Sequence, residues 1–86
     1  MNERWRSKKN PAALDARFDF EEFDVLRAFL DEVAEEADRL DHHPNISFGR
    51  DRVSIIIYST SDELSDIDHA LAKAIDDGYD KVTGLS

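Results

Sequence analysis

The 86-residue chain carries a formal net charge of -9 and no cysteine. A chain this short makes one domain with a thin core, hiding only about 60% of the surface its unfolded form exposes, so self-association would help it. Without cysteine, disulfides and thiolate metal sites are excluded. No apolar run reaches signal-peptide length or the ~20 residues that span a bilayer, and a soluble, cytoplasmic protein is expected.

The charge is unevenly spread. Between Met1 and Pro11, Arg4, Arg6, Lys8 and Lys9 stand against Glu3 alone, and the rest of the chain is strongly acidic. Direct nucleic-acid binding is not expected, because affinity for phosphate depends on clustered Lys and Arg. Residues 1–13 lack periodicity and contain the turn signal Asn10-Pro11. They read as a basic N-terminal arm, pinned by Trp5 or free in solvent, ahead of a domain at residues 14–86; an acidic protein is a candidate partner for it.

Arg17-Phe18-Asp19-Phe20 alternates polar with aromatic and reads as a short half-buried strand. From about Glu21 to Leu40, Phe23, Leu26, Leu30, Val33, Ala37 and Leu40 recur at steps of three and four, the stripe of an amphipathic helix. Its other face is acidic, a solvated surface whose first-turn acids suit the positive end of the helix dipole. Asp41-His42-His43-Pro44 ends the helix, since the residue before a proline is driven out of the α region. Asn45 to Phe48, the turn Gly49-Arg50-Asp51 and the alternating run from Val53 to Tyr58 then predict a β-hairpin. Ser65 and Asp68 form a capping-box pattern at the start of a second helix with Leu64, Ile67, Leu71, Ala74 and Ile75 as its apolar stripe and Gly78 as its C-cap. The expected fold is α+β: a single small domain of order β-α-β-β-α, an antiparallel sheet with two helices packed on one face.

His42 and His43 are the chemically notable pair. A helix C-terminus favours cations by about 0.3–1 kcal/mol, and imidazole is the side chain that exchanges protons near neutral pH. Asp38, one turn before His42, is placed to orient its ring. Capping of the last helix carbonyls is the competing structural role. Adjacent histidines rarely aim both rings at one ion and a zinc centre wants three or four ligands, so no metal is expected even with His69 and Asp68 nearby. Asp68 has a structural role of its own, as the capping acid. No nucleophile-base motif or Gly-rich phosphate loop is present.

Phe18, Phe20, Phe23, Phe29, Val33, Ala34, Ala37, Asp41-His42-His43-Pro44 and Val53 resemble the pterin-4a-carbinolamine dehydratase pattern, and Leu64-Ser65, Asp68 and Ala70-Leu71-Ala72 resemble its second-helix signature. The resemblance implies dimers that pair into tetramers. It also implies loss of water from a 4a-hydroxytetrahydropterin without metal or other cofactor. His42 would then be a general acid or base, His43 a substrate-positioning group, and Asp38, Pro44, Thr60 and Asp68 would contact the pterin. The chain departs from the pattern after the central strand. A Thr-His pair and a Gly-Leu turn are expected there, and Ser59-Thr60-Ser61-Asp62-Glu63-Leu64 stands instead. The third imidazole falls on Thr60 counted from Val53, or on Ser59 counted back from Leu64.

The family also includes a dimerisation cofactor of a homeodomain transcription factor and, in a bacterial branch, a Rubisco assembly factor linked to carboxysomes. Asn45-Ile46-Ser47-Phe48-Gly49-Arg50, Leu26 to Asp31 and the basic arm are similar to that branch, although its histidine pair is usually eroded and here it is intact. The resemblance therefore implies a dehydratase-like protein with an incomplete pterin site, acting through a protein partner such as Rubisco. Active dehydration is the alternative.

Overall fold

Alternation of side chains between a buried and an outer face shapes the two long strands on which the rest is built. The computed structural model describes residues 4–84; Met1–Glu3 of the expected arm and Leu85 and Ser86 of the expected domain lie outside the described residues. The elements run β1 (Arg6–Lys8), β2 (Ala13–Asp19), α1 (Phe23–Leu40), β3 (Asn45–Phe48), β4 (Arg52–Tyr58) and α2 (Asp66–Thr83). They form a four-stranded antiparallel sheet in the order β1-β2-β4-β3, with both helices on one face.

The register places Leu14 opposite Ile57, Ala16 opposite Ile55 and Phe18 opposite Val53. All six are buried on the helix-covered face, as the period of two requires. Leu26, Phe29, Val33 and Ala37 of α1 and Leu71, Ala72 and Ile75 of α2 close the core from above. At its centre Phe18 lies 4.8 Å from Phe29 and 5.1 Å from Tyr79, centroid to centroid.

Three particulars differ from the sequence expectation. The order gains an edge strand, because part of the basic arm folds back as β1: Lys8 pairs with Ala13 and Arg6 with Asp15. Asn10, in the left-handed region at φ 56°, makes the return, a conformation asparagine tolerates better than most residues. Trp5 is buried and donates its indole N–H to Asp76 Oδ1 of α2 at 3.0 Å. In α1, Phe23 is 44% exposed and is not part of the core stripe, whereas Phe29, absent from the predicted stripe, is fully buried. The aromatic ring turned toward the sheet takes the place facing Phe18 and Phe20.

Gly78 is not a C-cap. It lies inside α2, which continues to Thr83 and closes on Gly84 at φ 75°. A Cβ at position 78 would come within 3.2 Å of the Glu32 Cβ on α1. The residue sets how closely the helices approach rather than where one stops. Gly78→Val, whose branched methyls extend farther than that Cβ, is expected to destabilise the fold by about 1–3 kcal/mol through overpacking. A lowered urea midpoint with unchanged slope checks it.

Candidate functional site

The end of α1 determines where the two imidazoles go. Asp41 takes φ 52°, and its N–H reaches Asp38 O at 3.2 Å while the His42 N–H reaches Ala37 O at 3.0 Å. This is the two-bond Schellman closure, made here with aspartate in the left-handed position usually held by glycine. The stop thus falls ahead of Pro44 and sends successive rings in opposite directions. The His42 side chain is 11% exposed and that of His43 is 62% exposed.

His42 points toward the first turn of α2. Its Nε2 lies 2.6 Å from Asp68 Oδ1. The Asp68 side chain is fully buried, and Ser65 donates to its Oδ2 from the backbone N–H at 2.9 Å and from Oγ at 3.1 Å. One carboxylate therefore completes the capping box of α2 and holds the imidazole. Burial pushes the Asp68 carboxyl up, but the Ser65 N–H, His42, the Ser65 hydroxyl and the Ser59 hydroxyl together outweigh it and hold the group below its usual range. An ionised carboxylate only accepts hydrogen bonds, so Nε2 of His42 carries a proton. In neutral His42 the basic lone pair is then on Nδ1.

His43 Nε2 meets Asp38 Oδ1 at 2.9 Å. Asp38, expected to orient His42, is paired with His43 instead. Both members are well exposed, and such a pair is worth little, about 0–1 kcal/mol. Pro44 is half-buried and leads into β3.

The stretch after β4 supplies Ser59 rather than Thr60 to this cluster. Ser59 follows the last residue of the strand and donates its N–H to Ala12 O at 3.0 Å. Its hydroxyl donates to Glu63 O at 2.6 Å, accepts from the Ser61 N–H at 3.2 Å and contributes to the lowering at Asp68. Thr60 is exposed. The hydroxyl hydrogen of Ser59 goes to a loop carbonyl, and a hydroxyl cannot supply the proton exchange of an imidazole. Among the described residues no group of three or more His, Cys, Asp or Glu is arranged to hold a metal ion, and no helix is long and apolar enough to cross a membrane. His69 is exposed on α2.

The structure thus brings His42, Asp68, Ser65 and Ser59 together, and sets His43 with Asp38 beside them on the exposed side. The bond between His42 and Asp68 was not derivable from sequence spacing, which left Ser59 and Thr60 as alternatives beside it. The capping box was the available signal, since it placed Asp68 in a first turn with one oxygen to spare.

The family model for pterin 4 alpha carbinolamine dehydratase matches residues 1–78. A protein of Rhodospirillum rubrum assigned by name to these dehydratases is 43% identical over 74 residues, spanning 84% of this chain and 76% of that one. Another so named, from Metallosphaera sedula, is 37% identical over 75 residues, 85% of this chain and 75% of the other. One solved structure, described as a pterin dehydratase-like protein that is a RuBisCO assembly factor in the alpha-carboxysome, superposes with a TM-score of 0.82. It is 32% identical and the match covers 91% of this chain and 92% of that chain. A transcriptional coactivator/pterin dehydratase from Brucella melitensis shares the fold, with a TM-score of 0.81 at 23% identity over 90% of this chain and 83% of the other.

Proposed function

Because this chain belongs to the pterin 4 alpha carbinolamine dehydratase family, we propose that it uses the dehydratase fold as a protein-binding module, an assembly factor for a partner of the Rubisco type. The observation that carries this reading is Ser59. The hydroxyl beside Asp68 is tied to Glu63 O at 2.6 Å, and neither Ser59 nor Thr60, the two positions on which the family pattern's third imidazole falls, carries one. Loss of one acid-base group typically costs about a hundred- to ten-thousandfold in rate. The 32% identity over nearly the whole of both chains with the protein described as a RuBisCO assembly factor supports the partner class. Binding to such a partner would engage surfaces that need no proton transfer.

Dehydration is the second reading, favoured by the 2.6 Å bond between His42 and buried Asp68. Elimination of water from a 4a-hydroxytetrahydropterin needs a proton delivered to the leaving oxygen and one removed from a ring nitrogen. An imidazole held through Nε2 has Nδ1 for such an exchange.

One pair of measurements separates the two. Mixed with Rubisco large subunits, the protein is expected to form a complex on native gels that His42→Ala leaves intact, and to dehydrate a 4a-hydroxytetrahydropterin no faster than buffer at micromolar concentration. Acceleration that falls at least a hundredfold in His42→Ala, without a complex, would overturn the assembly reading in favour of the enzyme.

A further inference from the structure

The sheet face turned away from the helices is the cationic side of an acidic protein. On β2, Asp15, Arg17 and Asp19 alternate with buried Leu14, Ala16 and Phe18, so they occupy the outer face. The register adds Arg6 and Lys8 from β1 and Arg52 from β4 to that same face. Both acids are already engaged: Lys8 holds Asp15 at 2.7 Å and Arg52 holds Asp19 at 3.3 Å. Arg6 and Arg17 are exposed and, among the described residues, bridge to no carboxylate. They line a groove of about 480 Å³ with Arg4, Asp19, Ser54 and Ile56. The sequence offered an acidic protein as a candidate partner for the arm; the fold fixes part of the arm's charge on this face as β1.

We propose that this groove binds a carboxylate-rich segment of a partner protein in extended conformation, with Arg6 and Arg17 each gripping one acidic side chain. The inference rests on the protein-binding reading above and supplies the docking chemistry that reading lacks. Arg6 faces Asp15 across the ladder, which makes Arg17 its diagonal neighbour at about 7–8 Å. Acidic residues two apart on an extended chain are spaced by about 6.6–6.8 Å, so an acid-x-acid segment presents its carboxylates at matching intervals. Guanidinium groups suit the task, since their planar forks bind carboxylates in bidentate fashion. A protein segment fits better than nucleic acid, because Asp15 and Asp19 lie among the cations, Ile56 offers apolar contact, and the chain as a whole carries -9.

The experiment uses the full chain and a fluorescent peptide containing Glu-Leu-Glu in a Gly/Ser context, read by polarisation. The expected result is saturable binding that weakens as salt rises and is lost at least tenfold in both Arg6→Gln and Arg17→Gln. Lys73→Gln, a charge lost from the exposed side of α2, should leave it unchanged, and circular dichroism should show both arginine variants folded. Equal affinity for the Gln-Leu-Gln peptide, indifference to the two substitutions, no binding, or tighter binding of a single-stranded oligonucleotide would each overturn the proposal. So would sedimentation showing that the substitutions only change self-association. The assay contains no Rubisco, so its failure is distinguishable from failure of the assembly role.

Discussion

Phe18→Ala is expected to lower the unfolding free energy by about 3–5 kcal/mol, the usual range for removing a buried aromatic ring. The ring is 1% exposed near the end of β2. Its centroid is 6.0 Å from Trp5, 4.8 Å from Phe29 and 5.1 Å from Tyr79, and the Arg4 guanidinium carbon sits 4.8 Å above it. These neighbours come from the terminal segment and both helices, so no single element can shift to fill the void. Domains of this kind are stable by only about 5–15 kcal/mol, and the core here is thin, so the variant should be marginally folded or unfolded at 37 °C. Phe23→Ala is the control: at 44% exposure it should cost no more than about 1 kcal/mol. Urea midpoints for the two variants check the contrast. Similar losses would show that the aromatic cluster is not the centre of stability.

Asp68→Asn should be the most damaging of the isosteric changes at the site, at about 2–4 kcal/mol near neutral pH. The estimate combines a charge-assisted bond, ~1.5–3 kcal/mol, with part of a helix cap, ~1 kcal/mol. An amide presents NH₂ to either His42 or Ser65, both of which donate to the carboxylate. Relief would require His42 to move its proton to Nδ1, a change visible in its ¹⁵N chemical shifts. The pH dependence has a definite sign. The Asp68 carboxyl is lowered from its ordinary 3.8, so the unfolded chain binds a proton more readily than the folded one. The stabilisation is fully present above the unfolded value and is lost as pH falls through the folded value. The wild type and Asp68→Asn should therefore converge in stability on acidification. A gap that stayed constant from pH 7 to pH 2 would contradict the assignment.

What could be read from the sequence was local. The hairpin turn at Gly49-Arg50-Asp51 and the Ser65 to Asp68 cap depend on neighbours a few residues away, and the structure has both. The histidines at the end of α1 were equally plain. β1 was not, because Arg6-Ser7-Lys8 has no apolar alternation and is held by the register of β2. Gly78 read as a stop because glycine is a poor helix former; its reason is Glu32, on another helix. At the site, His42 and Asp68 are 26 residues apart, and no spacing rule reaches that far. Ser59 and Thr60 were alternatives that only the path of the chain after β4 could separate.

Trp5 is the sole tryptophan of the chain, and its indole rests against Asp76, 71 positions later. Its fluorescence is consequently an intrinsic optical gauge of a loop that joins the two ends of the described chain. Blue-shifted emission requires the amino-terminal strand and the carboxy-terminal helix to be docked together, with everything between them in place. A label or fusion joined close to Trp5 would disturb that gauge before it disturbed the histidine pair.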